Sequence, residues 1–429
     1  MVDNDGPTPS TPVSDTMTAH SPLGGSFWRL WTSSGLSNLA DGALKVALPL
    51  LALRLTDSPM LIAGIAVALS LPWLLFALPA GALADRFDRR LSMVGANALR
   101  AALLLALAFG LALDLGSIGL LYAVAFGIGI AETLYDTSAQ SILPQLVPRR
   151  LLSRANGRLY AAELTAQEFI GPPLGGVLVA ASVALALVTP AALWVAAFGL
   201  LLLLPGRFRV ERTGPDASMR ADIAEGVRFL WGDGLLRRFA IMVGASNFAT
   251  QAGFAVLVLF VVGPDSPLGL PEAAFGPLLA VTAVGSVLGS FLAEGIERRL
   301  GRTWALRMCV ICFAILIGAP GAAASVWPVA VGLFVGGMAI CVWNVITVSL
   351  RQRLTPDTLL GRVNSVYRLL AWGTMPLGAA TGGILATLIG LRPMYLLLGG
   401  LMLLLLLPLM RLSDAEMDQA EARVHKTAG

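Results

Sequence analysis

An all-α membrane protein is predicted, with twelve transmembrane helices in two pseudo-symmetric six-helix halves. Three observations carry that expectation. Hydrophobic residues make up 56% of the 429-residue chain and charged residues only 13%, too few polar groups to cover a water-soluble fold of this size. Apolar stretches of about twenty residues, the length a ~30 Å bilayer core demands, recur along almost the whole chain. Arginines gather in every second loop, and pieces of the first half return in the second at a nearly constant spacing.

The chain opens on a polar segment, residues 1–25, rich in Pro, Ser, Thr and Asp; it lacks the basic start and cleavage site of a signal peptide and is expected to be a disordered cytoplasmic tail. The N-terminal half follows over 26–205, with spans expected at 27–53, 59–83, 91–114, 118–142, 156–181 and 183–205. Residues 206–238 form a linker containing a short amphipathic helix over Met219–Trp231, with Ile223, Val227, Leu230 and Trp231 on its apolar side. The C-terminal half, 239–411, holds spans at 238–263, 273–297, 304–321, 327–350, 364–390 and 393–411. A second cytoplasmic tail covers 412–429.

Arginine placement orients these spans. Arg86, Arg89 and Arg90, then Arg149, Arg150 and Arg154, lie on one side, together with the linker arginines, Arg298, Arg299, Arg302, Arg351, Arg353 and Arg362. The opposite side offers Arg54 and Arg392. The positive-inside rule puts the arginine-rich side and both termini in the cytoplasm, and the expected location is a bacterial cytoplasmic (inner) membrane. The net charge of +4 and pI near 9.2 thus report topology, and no nucleic-acid partner is expected.

The repeat is explicit. Leu146, Pro148, Arg154 and Asn156 return as Leu354, Pro356, Arg362 and Asn364, 208 residues on; Gly35, Ser37 and Asn38 return as Gly244, Ser246 and Asn247 after 209; Gly175 and Gly176 return as Gly382 and Gly383 after 207. Cys309, Cys312 and Cys341 lie in apolar stretches, and the histidines, His20 and His425, lie in the tails, so neither a disulfide framework nor a metal site is expected, and no cofactor. G-x-x-x-x-G-K-[ST], H-E-x-x-H and G-x-S-x-G motifs are absent, which argues against an ATPase or an intramembrane hydrolase.

Charges inside spans cost ~2.5–3.5 kcal/mol each on insertion scales and therefore call for a reason. Asp41 and Lys45 are one turn apart in span one, on the face that also carries Asn38; Glu132 and Asp136 share that spacing in span four, and Glu163 and Glu168 lie in span five. Asp41 with Lys45 reads either as a mutually neutralised structural pair or as a titratable site facing a central cavity. The five acids are proton-coupling candidates, with Lys45 and Arg100 as charge partners that alternatively serve folding alone. The second half has few such acids; its cavity candidates are Asn247, Gln251, Trp343, Asn344, Trp372 and Met375, alongside ordinary helix packing as the competing role.

From about Ser26 to Leu412 the chain resembles the major facilitator superfamily. Gly81-Ala82-Leu83-Ala84-Asp85-Arg86-Phe87-Asp88-Arg89-Arg90 resembles the family's G-x-L-A-D-R-x-G-R-R/K loop, with Asp88 where glycine is usual; Asp tolerates left-handed backbone, so the turn is expected to survive. A degraded copy runs from Gly289 through Glu294 to Arg298 and Arg299. Gly171-Pro172-Pro173-Leu174-Gly175-Gly176 resembles the end of the signature of the family's drug/proton antiporters, with Gln167 standing where another glycine would be, and the family's span-four arginine is missing. Ser37–Gly42 and Pro144–Asn156 are similar to the branch containing macrolide and enterobactin exporters. The resemblance implies the major facilitator fold, no enzymatic activity, and gating by Gly81, Asp85, Arg86, Arg89 and Arg90, with Asp85 latching the halves near Asn364 to Arg368. It also implies a monomer that exports a hydrophobic drug-like or secondary-metabolite molecule, with protons and the lipid bilayer as its other partners. A lysophospholipid or siderophore carrier of the same fold, or a non-transporting ligand sensor, are the alternatives.

Overall fold

The computed structural model describes residues 23–148, 151–206, 208, 219–263 and 265–428; the side chains of 77, 78, 80–86, 153, 219–222, 357, 358 and 424–428 lie outside the described set. The first half comprises α1 (Gly25–Leu53), α2 (Pro59–Arg86), α3 (Arg89–Ala112), α4 (Ile118–Leu146), α5 (Leu152–Leu164), α6 (Gly171–Ala181) and α7 (Val183–Leu202). A π-helical turn over Thr165–Ile170 joins α5 to α6. α8 (Met219–Gly232) lies in the linker. The second half comprises α9 (Gly234–Phe254), α10 (Leu257–Val261), α11 (Glu272–Leu300), α12 (Arg302–Ala322), α13 (Val326–Leu354), α14 (Asp357–Gly373), α15 (Met375–Ile389), α16 (Leu391–Leu403) and α17 (Leu406–Met410), and α18 (Asp414–Ala428) follows it.

Among the described residues, ten helical stretches are long and apolar enough to cross a membrane. The other two expected spans coincide with the interrupted stretches α5–α6 and α9–α10. Several helices start on a side-chain cap, which satisfies orphan N–H groups where the chain turns back. Ser117 accepts from Leu120 N at 3.2 Å, Ser182 from Leu185 N at 3.0 Å and Asp233 from Leu236 N at 2.8 Å. Asp88 caps α3 in the same way. Its backbone is extended, at φ −66° and ψ 118°, so left-handed tolerance is not what preserves this turn; the carboxylate is, accepting from Arg90 N and from Phe208 N at 2.9 Å each.

Helix packing repeats between the halves. α1 packs on α6 and α7 as α9 packs on α15 and α16; α2 on α4 as α11 on α13; α3 on α7 as α12 on α16. The glycines explain the first of these. A Cβ at Gly171 would overlap the Gly42 backbone and one at Gly175 the Ala43 carbonyl, while Gly378 and Gly382 meet Phe248 and Ala252 of α9 in the same manner. The adjacent glycine of each pair faces the other half. Gly176 lies against Glu272–Gly276 of α11, and Gly383 against Pro59–Ala63 of α2. Small residues let backbones touch where apolar burial gives no advantage over lipid.

The contacts α6–α11 and α2–α15 join the halves, and these glycine approaches use the starts of α2 and α11. The molecule is therefore closed at the arginine-poor end. Toward the arginine-rich end a cavity of ≈ 290 Å³ lies between the halves, lined by Trp73, Thr137, Gln140, Arg368 and Trp372 among others. α8 packs against α14, with Gly226 on the Arg362 carbonyl, Leu230 buried and an Arg362–Glu225 ion pair. Val227 and Trp231 stay exposed. The segment expected as a tail holds α18, whose acids grip the arginine-rich end of the second half: Asp414 accepts from Thr303 N at 2.8 Å, Asp418 pairs with Arg302, and Glu421 pairs with Arg302 at 2.5 Å and Arg353 at 3.4 Å.

Candidate functional site

Among the described residues, the charges Asp41 and Lys45 of α1 enter two separate ion pairs and do not pair with each other. Arg100 of α3 reaches both Asp41 oxygens of α1 through Nη1 at 3.4 Å. The same nitrogen lies 3.3 Å from Ser37 Oγ, which is 3.2 Å from Asn97 Oδ1. Arg100 is 0% exposed and Asp41 12%. The Tyr135 and Trp194 rings cover the guanidinium at 5.1 and 5.5 Å, contacts worth about 2 kcal/mol when desolvated. Its Nε and Nη2 have no hydrogen-bond partner among the described residues. A guanidinium keeps its proton in proteins, so this pair is a fixed charge anchored inside the half.

Lys45 pairs instead with Glu168 of the π-helical turn at 2.5 Å, both side chains 43% exposed. The repeat explains how Glu168 arrives there. Asn156 and Asn364 are 208 apart, whereas Gly175 and Gly382 are 207 apart, so the first half holds one extra residue between these landmarks. A π turn, bonded i to i+5, absorbs such a residue and keeps Gly171 and Gly175 facing α1. The Gln167 carbonyl lies where a Cβ on Gly42 would go. The close approach therefore comes from Gly42, and the missing signature glycine at Gln167 costs nothing.

Glu132 and Asp136 are half-buried on α4 and Glu163 is exposed on α5; none has a cation within ion-pair distance among the described residues. Among the described residues, the two ion pairs inside these spans thus engage two of the five acids, Asp41 and Glu168.

The gating candidates divide. The side chains of Gly81, Asp85 and Arg86 lie outside the described residues, so the expected Asp85 latch does too. Arg89 donates to the Ser141 carbonyl at 2.5 Å, and Arg90 to the carbonyls of Leu204 at 2.5 Å and Leu202 at 3.2 Å. Arg89 therefore braces the C-terminal part of α4, and Arg90 the end of α7, within their own half.

Of the cavity candidates, Trp372 lines the cavity, its ring 4.8 Å from Trp73 across the halves. Asn247 donates to the Ala371 carbonyl at 2.7 Å, beside the α14–α15 break. Asn38 donates to Ser34 of its own helix at 2.8 Å. Trp343, 3% exposed, packs between Phe239 and Phe313 and not into the cavity; Gln251 and Met375 are half-buried and Asn344 is exposed. The spacing of intramembrane charges missed Trp73, Thr137, Gln140 and Arg368. Arg368, stacked on Trp372 at 4.5 Å, could have been noted as an arginine within an expected span.

A family profile described as "Transmembrane secretion effector" matches residues 17–427. The multidrug efflux pump Tap of Mycolicibacterium fortuitum is 29% identical over 386 residues, covering 85% of this chain and 90% of that protein. An uncharacterised MFS-type transporter of Mycobacterium tuberculosis is 29% identical over 400 residues, covering 87% and 88%. Among solved structures, the nucleoside transporter NupG aligns with a TM-score of 0.74 at 12% identity over 90% of this chain and 98% of its own. A bacterial homologue of ferroportin in an inward-facing state gives 0.70 at 17% over 92% and 98%. A helical membrane fold in two matching halves, seen also in these transporters, and a family match over nearly the full length place the chain among the transmembrane secretion effectors of the major facilitator superfamily, as a multi-pass efflux-type transporter and not an enzyme.

Proposed function

We propose that the protein is a proton-coupled exporter of a hydrophobic drug-like or secondary-metabolite molecule, working by alternating access of its two halves in a bacterial cytoplasmic membrane, as a monomer with both termini cytoplasmic. The observation that carries the reading is the excess of carboxylates in the first half. Lys45 and Arg100 pair with Glu168 and Asp41, while Glu132, Asp136 and Glu163 have no ion-pair partner among the described residues, and carboxylates left without a cation away from bulk water are costly. Protons relieve that imbalance when they bind, and a solute that displaces them couples its movement to the gradient. Asp41 faces a permanent cation. Glu132 and Asp136 have no ion-pair partner among the described residues, and the Glu168 pair is exposed. The aromatic walls Trp73 and Trp372 beside Leu74, Val366 and Leu369 suit an apolar, ring-bearing solute.

The test is proton movement in proteoliposomes on adding a panel of lipophilic drugs, comparing wild type with Glu132→Gln, Asp136→Asn and Glu168→Gln. At least one drug should move protons, and at least one variant should abolish that while retaining drug binding. Proton movement with no drug, together with unchanged solute flux in all three variants, would overturn proton coupling and leave a facilitated carrier.

A further inference from the structure

We infer that Arg54 and Glu272 form the latch that holds the arginine-poor end of the carrier shut; the inference rests on the alternating-access reading above. Arg54 immediately follows α1, in the first half, and Glu272 opens α11, in the second. The guanidinium engages the carboxylate with two nitrogens, Nε to Oε1 at 3.1 Å and Nη2 to Oε2 at 2.7 Å, the fork-to-fork geometry that makes arginine–carboxylate pairs directional. Nη2 also donates to the Val179 carbonyl near the end of α6 at 3.2 Å. One side chain thereby ties the ends of α1 and α6 to the start of α11, at the level where Gly176 and Gly276 bring the backbones of the halves together.

Three features suit the pair to a latch rather than to a permanent joint. It crosses the surface along which the halves must separate. It is wet, with side-chain exposures of 41% and 25%, so opening exchanges the bond for water without stranding a charge in lipid. Each partner also sits at the end of a helix that favours its sign, the cation at the C-terminus of α1 and the anion in the first turn of α11. Both charges are therefore tolerated when the halves part. The close contacts of α6 on α11 and of α2 on α15 supply the closed interface, and the ion pair sets its balance.

The experiment is pulsed electron–electron distance measurement on full-length protein in nanodiscs, with spin labels at Ala184→Cys and Asp265→Cys in a background where Cys309, Cys312 and Cys341 are serine. Wild type should show mainly the short, closed distance. Arg54→Ala and Glu272→Gln should each raise the ratio of long to short distances about three- to tenfold, as expected for an exposed but bidentate pair. The charge swap Arg54→Glu with Glu272→Arg should return the distribution part of the way to wild type, short of it because the Val179 bond is lost and each charge then opposes its helix end, whereas a variant damaged in folding would show no return. Unchanged distributions in the single variants, or a swap no better than either, would overturn the latch. The readout needs neither solute nor proton gradient. A latch response with no drug-evoked proton flux would therefore sink proton coupling alone, and a single distance in every variant would sink the latch.

Discussion

The two halves share a scaffold and differ in what they bury inside it. Glycines at 171, 175 and 176 and at 378, 382 and 383 make the same contacts in both, yet the residues at matching positions diverge. Arg100 is answered 209 residues on by Cys309, and Tyr135, which covers Arg100, is answered 208 on by Trp343. Asp136 is answered by Asn344 and Lys45 by Phe254. The first half thus holds an ion-pair network where the second holds an aromatic cluster of Trp343, Phe239 and Phe313. Packing symmetry sets the architecture.

The sharpest way to break this comparison is Arg100→Ala. It leaves Asp41 buried without its cation, a loss of about 3–5 kcal/mol by analogy with broken buried pairs. Cys309→Ala at the matching position should cost about 1 kcal/mol, and thermal unfolding in detergent would show the contrast. Similar melting of the two variants would mean the network carries no structural load.

Deleting Ala166 removes the extra residue from span five, allowing the π turn to become ordinary helix. The flanks then keep their facing, with Gly171 and Gly175 still on α1 as Gly378 and Gly382 are on α9 without the extra residue, and the residues inside the turn, Glu168 among them, reorient relative to Lys45. Drug-driven proton flux should fall at least tenfold in proteoliposomes, while deletion of the second half's matching residue, Thr374, should spare the Lys45–Glu168 pair. Retained coupling in the Ala166 deletion would show that the pair is incidental.

Smaller effects test the scaffold. Gly175→Ala and Gly382→Ala each push a methyl into a backbone carbonyl of the neighbouring helix, and overpacking of this kind costs about 1–3 kcal/mol. Equal losses of thermal stability would support equivalent packing, and unequal ones would reveal which half is the stiffer. Smallest is the asparagine pair. Asn247→Ala removes a bond to another helix and should cost about 1 kcal/mol. Asn38→Ala removes one within its own helix and should be nearly neutral in the same melts.

Much of the fold was legible beforehand because membrane helices announce themselves by length and hydropathy. The apolar stretches, the linker helix and the internal repeat all lie in local pattern. Even the one-residue slip, 208 before Thr165 and 207 after Ile170, is visible in the spacing, although nothing local says that a π turn absorbs it. The candidate site was legible as a set of residue types and not as a set of partners. One-turn spacing puts Asp41 and Lys45 on a common face, but the structure sends the first to Arg100 and the second to Glu168. The cavity walls Trp73 and Gln140 carry no mark of their position in sequence, since a tryptophan facing lipid, core or cavity looks the same locally.

The physical division follows from what each level of structure can see. Composition and periodicity specify that the helices form and roughly where they end, because bilayer thickness acts on each span separately. The azimuth of each helix, the register at which two helices cross and hence which acid meets which cation depend on close contacts between residues far apart in sequence. Gly42 against Gln167 and Gly176 against Gly276 are examples. A shift of one residue at such a crossing turns a side chain by about 100°, enough to exchange an ion-pair partner for lipid. Charge pairing in this carrier is therefore a property of its packing.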